Sequence, residues 1–162
     1  MILKPEENLL LKFLRMSGLR KEEGITSFNL IIDLSKQGGL NGYLNENGVL
    51  EHFRFKEKFL RVTKNAYVSI VPMDLISEIG RTQKVTYAGI VKRIHRREMR
   101  CRINELRDYY GTFMVRPLIR EEVDLQQGRV GKSIFARFYW SPSFKELQSR
   151  VLKAIHEMDG GA

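Results

Sequence analysis

The sequence predicts an α+β fold that is mainly helical and contains one small antiparallel sheet of three strands. Apolar residues recur at helical spacing along most of the 162-residue chain. The periodicity changes over residues 43–71, and residues 49–71 are rich in aromatic and β-branched side chains, which favour strands. With 43% hydrophobic residues, the chain can bury a core of its own, and its length suits a single domain.

The first two predicted elements are helices. In residues 5–16, several leucines and Phe13 share one face, and Pro5 suits a first helical turn. Residues 20–35 repeat this spacing, and the glycines that begin at Gly38 end the pattern.

The sheet is predicted after the second helix. Asn47-Gly48 is a hairpin-turn signal, and residues 49–71 contain the strand-like stretch. We expect a second turn at Thr63–Ala66, and Pro72 ends the sheet region. Helical patterns then return, with predicted helices over residues 73–80, 85–97, 102–115, 119–127, 132–139 and 143–157. The domain is predicted to cover residues 1–158, followed by a short tail at 159–162.

The charge of the chain indicates a polyanionic partner. Twenty-eight Lys and Arg residues oppose 19 Asp and Glu, which gives a formal net charge of +9. Such an excess favours nucleic acid. Much of the positive charge lies in one basic segment, and we predict that this segment contacts DNA phosphates. The alternative is a helical face that is solvated. The residues of the basic segment are Lys92, Arg93, Arg96, Arg97, Arg100 and Arg102.

Several function classes lack their motifs. The sequence has neither a P-loop nor a dinucleotide-binding glycine motif, and its three histidines are scattered. Because acidic residues do not cluster either, we expect no metal and no cofactor. The single cysteine, Cys101, cannot form an internal disulfide and is expected to be a half-buried thiol. No apolar run is long enough for a membrane span, and no signal peptide is evident, so we expect a soluble cytoplasmic protein.

The remaining reactive residues suit metal-independent cleavage of a phosphodiester. Arginines can neutralise the charge that builds up on the nonbridging oxygens, because their planar donors match phosphate. A tyrosine oxygen can act as the nucleophile. A lysine can protonate the departing oxygen if nearby positive charge lowers its pKa.

Five segments then resemble the motifs of the tyrosine recombinase (phage integrase) family. Residues 17–23 (SGLRKEE) resemble the motif of the first catalytic arginine. Residues 64–72 resemble the β-hairpin with its turn lysine, and 104–107 the box of the second arginine. Residues 125–129 resemble the next box, and 138–140 the nucleophile segment. Each motif alone is unspecific, but all five occur in the family's order.

The resemblance implies roles for individual residues. The Gln-Gly-Arg ending of the fourth motif is most similar to integrases of archaeal viruses and plasmids. The implied catalytic residues are Arg20, Lys64, Arg107, Arg129 and Tyr139. The implied supporting residues are Glu23, Asn104 and Gly128.

The implied activity is site-specific DNA recombination through a 3′-phosphotyrosyl intermediate, as in integration of a mobile element. The implied partner is double-stranded DNA, bound by a homo-oligomer (a tetramer), and we expect the chain to be the C-terminal part of a longer integrase. Two residues depart from the family pattern: Asn104 replaces a His or Lys, and Arg129 replaces the usual His. Neither change supplies a general base for Tyr139.

Alternatives stay open at this point. A type IB topoisomerase uses the same chemistry, and an inactive DNA-binding module would share the basic surface. Tyr109 and Tyr110 are rival nucleophiles, although their position beside Arg107 favours packing in the core of that helix.

Overall fold

The computed structural model of the chain describes residues 3–96 and 102–160. In these residues nine α-helices and two short strands occur, which confirms the mainly helical α+β class. The helices are α1 (Pro5–Ser17), α2 (Lys21–Gln37), α3 (Lys56–Phe59), α4 (Met73–Gly80), α5 (Tyr87–Arg96), α6 (Asn104–Met114), α7 (Arg120–Gln126), α8 (Lys132–Tyr139) and α9 (Ser143–Gly160). The strands are β1 (Val49–Leu50) and β2 (Ser69–Ile70).

The sheet is smaller than predicted. β1 pairs antiparallel with β2, with Val49 opposite Ile70. The described residues give no third strand, so the prediction of three is not confirmed: Leu44 with Leu50, and Leu60 with Asn65, are single bridges. The segment between the strands is helical where a third strand was expected. A 3₁₀ turn at 52–54 buries His52, and α3 buries Phe59.

The core lies where α1 and α2 cross α4 and α6. Buried side chains of α1, such as Phe13, meet those of α2, such as Phe28, at 6.3 Å between ring centroids. The long α9 contributes a second buried row, and it contacts α6, α8 and β2. β2 is therefore packed against α9, as expected for a buried strand.

The end of α9 bears on the predicted tail. α9 continues to Gly160, and Asp159, which was predicted to lie in the tail, accepts ion pairs from Lys12 and Arg15. Arg97, Arg100 and Cys101 lie outside the described residues. Among the helices of the described ranges, none combines the length and the apolar character needed to cross a membrane.

Candidate functional site

Arg107 lies at the centre of the candidate site. Its side chain extends from α6 and is 8% exposed. Nη1 donates to the carbonyl of Gly18 at 2.7 Å, and Nη2 donates to the carbonyl of Gln127 at 2.9 Å. The Gln127 side chain donates back to the Arg107 carbonyl. The guanidinium therefore joins the α1–α2 turn to the α7–α8 loop, and its remaining N–H donors can face an anion.

Arg20 reaches the same region from the start of α2. Its Nη1 donates to the Glu23 carboxylate at 2.9 Å and to the carbonyl of Asn65 at 3.4 Å. Glu23 is 1% exposed and also accepts from the Arg20 backbone N–H. Glu23 thus orients Arg20, and Arg20 in turn contacts the segment that contains Lys64.

Lys64 lies in the predicted tight turn, which packs against the α7–α8 loop. The Arg61 N–H donates to the Lys64 carbonyl at 3.2 Å. Gly128 has a φ of +68°, and a Cβ at this position would lie 1.8 Å from the Asn65 carbonyl oxygen. Only glycine permits this backbone and this approach. The turn of Lys64 therefore lies directly against the loop that leads to Arg129.

Tyr67 holds these two segments together. Its hydroxyl donates to the carbonyl of Val130 at 2.8 Å and accepts from the Asn65 amide at 3.2 Å. Its ring stacks on Phe135 of α8, with centroids 4.5 Å apart. The position of the lysine turn relative to α8 is thus determined by a buried side chain.

The arginines of the site interact electrostatically. Burial, followed by the charges of Arg20 and Arg129, lowers the pKa of Arg107 to about 10. The group still remains charged at neutral pH. Asp124 pairs with the exposed Arg129 at 3.6 Å. A cavity of about 370 Å³ is lined by Arg107, Arg120 and Arg129, together with the carboxylates of Asp108 and Asp124. Cationic donors gathered in this way favour an anion such as phosphate.

Tyr139 lies in a different environment, at the end of α8. Its hydroxyl donates to the Glu51 carboxylate at 2.7 Å and accepts from the Asn45 amide at 3.0 Å. It lines a cavity of about 530 Å³, whose wall includes Glu51, Arg54 and Trp140 but none of the four catalytic cations implied by the resemblance. The structure thus brings Arg20, Arg107, Arg129 and the turn of Lys64 together and leaves the phenol hydroxyl elsewhere.

Aromatic packing surrounds the Tyr139 ring. Phe53 and Phe144 meet it edge-on, at centroid distances of 5.4 and 4.8 Å, and Phe135 stacks on it at 5.3 Å. Burial and the neighbouring Glu51 carboxylate raise the pKa of the Tyr139 phenol. The tyrosine is therefore protonated in this arrangement.

The other predicted residues divide into exposed and paired groups. Asn104 begins α6 and is exposed. Lys92 and Arg96 are exposed on α5, whereas Arg93 donates to the buried carboxylate of Glu7 at 2.6 Å. Arg102 is exposed, and its backbone N–H donates to Glu105.

The rival tyrosines differ from each other. Tyr110 is buried, as predicted, and burial raises the pKa of its phenol. Tyr109 was predicted to pack in the core, but it is 45% exposed because it lies on the outer face of α6.

Sequence reasoning missed several residues of the site. Asn65 and Gln127 lie inside motifs, but their roles depend on backbone contacts with distant segments. Asn45 and Glu51 contact Tyr139 from positions 94 and 88 residues away. The only local signals were the Asn-x-Asn-Gly turn and the short spacing between Glu51 and Arg54.

Within residues 3–96 and 102–160, no group of three or more His, Cys, Asp or Glu side chains could hold a metal ion. Comparisons with protein-family models, with curated proteins and with solved structures find no match to this chain.

Proposed function

We propose that the chain is the catalytic domain of a tyrosine-type site-specific DNA recombinase, with the corresponding fold. The observation that carries this proposal is the convergence of Arg20, Arg107, Arg129 and the turn of Lys64. These residues come from four separate segments of the chain, and the resemblance required that these segments meet. Basic residues on an ordinary solvated surface would not require the close contact between Gly128 and the turn of Lys64.

In the proposed reaction, the Tyr139 oxygen attacks the scissile phosphorus and the bond to the 5′-oxygen breaks. A 3′-phosphotyrosyl linkage forms, the phenol proton passes to solvent, and the Lys64 ammonium protonates the leaving 5′-oxygen. A 5′-hydroxyl from another strand then attacks the phosphotyrosine and gives its proton to the neutral Lys64 amine. The bond between phosphorus and the Tyr139 oxygen breaks, the phenolate takes a proton from solvent, and the DNA strand is resealed. Because the linkage preserves the energy of the broken bond, the cycle consumes no nucleotide.

The three arginines have the electrostatic role. Arg107, buried and held by two carbonyls, is positioned before DNA arrives, and its remaining donors stabilise the negative oxygens of the transition state. Arg20, oriented by Glu23, and the exposed Arg129 complete the cationic set. Exposed basic residues of α5, such as Lys92, contact the DNA backbone without reading its sequence.

A second candidate is favoured by the position of Tyr139. Since its hydroxyl is bonded to Glu51 and Asn45, the chain could be a DNA-binding module that does not cleave. Both candidates predict salt-dependent binding to DNA, and only the recombinase predicts a covalent adduct.

The test is adduct formation on a pool of nicked duplexes of randomised sequence, in EDTA, followed by a denaturing gel. We expect a covalent protein–DNA band from the wild type and none from Tyr139→Phe. Tyr109→Phe is the matched control, because Tyr109 is an exposed tyrosine near Arg107 and should leave the band intact.

The other outcomes identify the alternatives. DNA retardation on a native gel without any covalent band would favour the binding module. A covalent band together with plasmid relaxation, but without strand exchange between duplexes, would favour a type IB topoisomerase. Dependence of the band on Mg²⁺ would contradict the mechanism.

A further inference from the structure

The Tyr139 hydroxyl donates one hydrogen bond and accepts another, both within the protein. It donates to Oε2 of Glu51 at 2.7 Å, while Oε1 of the same carboxylate accepts from Arg54 at 3.0 Å. The Glu51 side chain is 5% exposed, and the Arg54 side chain is 51% exposed. The carboxylate is thus a buried, charged acceptor whose two oxygens have separate partners.

Asn45 holds the hydroxyl from the other side, and its own orientation is determined locally. Its side-chain oxygen accepts from the backbone N–H groups of Asn47 and Val49, at 2.9 and 3.0 Å. This hairpin turn directs the amide nitrogen of Asn45 toward Tyr139. The contact therefore does not depend on a freely rotating side chain.

This arrangement suits a protonated phenol and does not suit a nucleophile. A phenolate has no proton to donate to a carboxylate, and the negative charge of Glu51 opposes its formation. In agreement with this, burial and Glu51 raise the pKa of Tyr139 by more than the Asn45 amide and the Arg54 charge lower it. The Glu51 contact also directs the hydroxyl into a cavity that lacks all four implied catalytic cations.

We propose that Glu51 is a positioning residue that, with Asn45, holds Tyr139 in a resting position, and that DNA cleavage requires this contact to break. The proposal rests on the proposed function, since it assigns the nucleophile of that reaction. The resting contact prevents attack until the phenol leaves Glu51 for a phosphate bound at the arginines. A hydrogen bond to a charged acceptor provides this restraint, because it is stronger than a neutral one.

The first test compares single-turnover adduct formation by the wild type and Glu51→Gln. Glutamine keeps the shape and removes the charge, so we expect the rate to rise about three- to tenfold. The rising limb of the pH–rate profile, which reports deprotonation of the phenol, should also move to lower pH, because the phenol loses the neighbouring negative charge. Glu46→Gln is the matched control: Glu46 lines the same cavity, is exposed, and should change neither quantity.

The second test needs no DNA. With 3-fluorotyrosine in place of all six tyrosines, the ¹⁹F resonance of residue 139 is the one that disappears in Tyr139→Phe. We expect Glu51→Gln to shift this resonance and to increase its solvent isotope effect, while Glu46→Gln leaves it in place. Far-UV circular dichroism checks that each variant is folded.

The outcomes separate the two proposals. A slower or unchanged adduct rate in folded Glu51→Gln would overturn the resting role, and a slower rate would instead indicate that Glu51 accepts the phenol proton. An unshifted ¹⁹F resonance would show that the contact is absent in solution. If neither the wild type nor Glu51→Gln forms an adduct, the proposed function fails and the positioning role fails with it. If both form an adduct at equal rates, only the positioning role fails.

Discussion

At the scale of single residues, Gly128 determines how closely the lysine turn approaches the α7–α8 loop. Its φ is +68°, and an added Cβ would lie 1.8 Å from the Asn65 carbonyl oxygen. We expect Gly128→Ala to lower the free energy of unfolding by at least about 3 kcal/mol, because strain and a backbone clash add. Adduct formation should fall further than stability explains, since Lys64 moves away from Arg129. Urea denaturation and the nicked-duplex assay measure the two effects.

Gly38→Ala is the control for this prediction. Gly38 has a φ of +71° with nothing within 4 Å of an added Cβ, so alanine should cost only about 1 kcal/mol of backbone strain. Equal losses in the two variants would contradict the proposed close contact at Gly128.

His52 is the buried histidine of the molecule, and its position makes stability depend on pH. Its ring contacts the hydroxyls of Tyr43 and Ser69, and burial lowers its pKa to about 3. Between about pH 6.5 and 3 the unfolded chain therefore binds a proton that the folded chain does not. Stability should be full above pH 6.5 and should fall on acidification by up to about 1.4 kcal/mol per pH unit.

The measurement is the free energy of unfolding of the wild type and of His52→Gln at pH 7.5 and pH 5. We expect a smaller difference between the two pH values in the variant. His156→Gln removes an exposed histidine of α9 and should reproduce the wild-type difference. A wild-type pH dependence in His52→Gln would exclude the buried histidine as its cause.

At the scale of elements, helical periodicity was enough to predict most of the fold. For α1, α4, α8 and α9, the predicted and observed starts coincide, because apolar spacing and flanking Pro, Gly or Ser residues act locally. The insert was harder to predict. Residues 52–59 carry His52, Phe55 and Phe59 at spacings of three and four, yet their aromatic content favoured strands. Local propensity and helical spacing conflict there, and tertiary packing favours the short helical turns.

An ion pair and the buried Ile90 and Ile94 hold α5 against the rest of the domain, and the ion pair divides the predicted DNA-binding residues into two groups. Arg93 donates to the buried Glu7 carboxylate of α1 at 2.6 Å, while Lys92 is exposed. Arg93→Ala should lower the free energy of unfolding by about 1–3 kcal/mol, because the buried Glu7 carboxylate loses its charged partner and keeps the backbone N–H of Lys4. Thermal denaturation measures this loss.

Lys92→Ala is the neighbouring substitution with the opposite expectation. The free energy of unfolding of the Lys92→Ala variant should not change. The negative slope of log affinity for duplex DNA against log salt should become shallower by about 0.9 if one phosphate contact is lost. Fluorescence anisotropy at several salt concentrations gives this slope. An unchanged slope would indicate that this face of α5 is solvated rather than DNA-bound.

At the scale of the whole molecule, the cationic cluster was predictable only in part. The resemblance supplied Arg20, Lys64, Arg107 and Arg129 from short motifs, since each motif is a contiguous stretch of chain. The contacts that bring them together connect backbone atoms far apart in sequence, such as the carbonyls of Gly18 and Gln127 with Arg107. A carbonyl is present in every residue, so no residue type marks it. The Glu51–Tyr139 contact was not predictable for the related reason that 88 residues separate the pair.

Two arginines of the same cluster are expected to differ in role: Arg107 supports the fold as well as the reaction, and Arg129 supports the reaction alone. Arg107 donates to two carbonyls from different parts of the chain, whereas Arg129 is exposed and has one carboxylate partner, Asp124, at 3.6 Å. Arg107→Lys should lose about 2 kcal/mol of unfolding free energy together with adduct formation, because an ammonium lacks the planar fork that reaches both carbonyls. Arg129→Lys keeps the charge but removes the planar donors that match phosphate, so adduct formation should fall. Because the side chain is exposed, the urea midpoint should stay within error of the wild type. If Arg107→Lys were as stable as the wild type, the guanidinium would not be joining the α1–α2 turn to the α7–α8 loop, and the arginines would have to be positioned by the packing of α1, α2 and α6 alone.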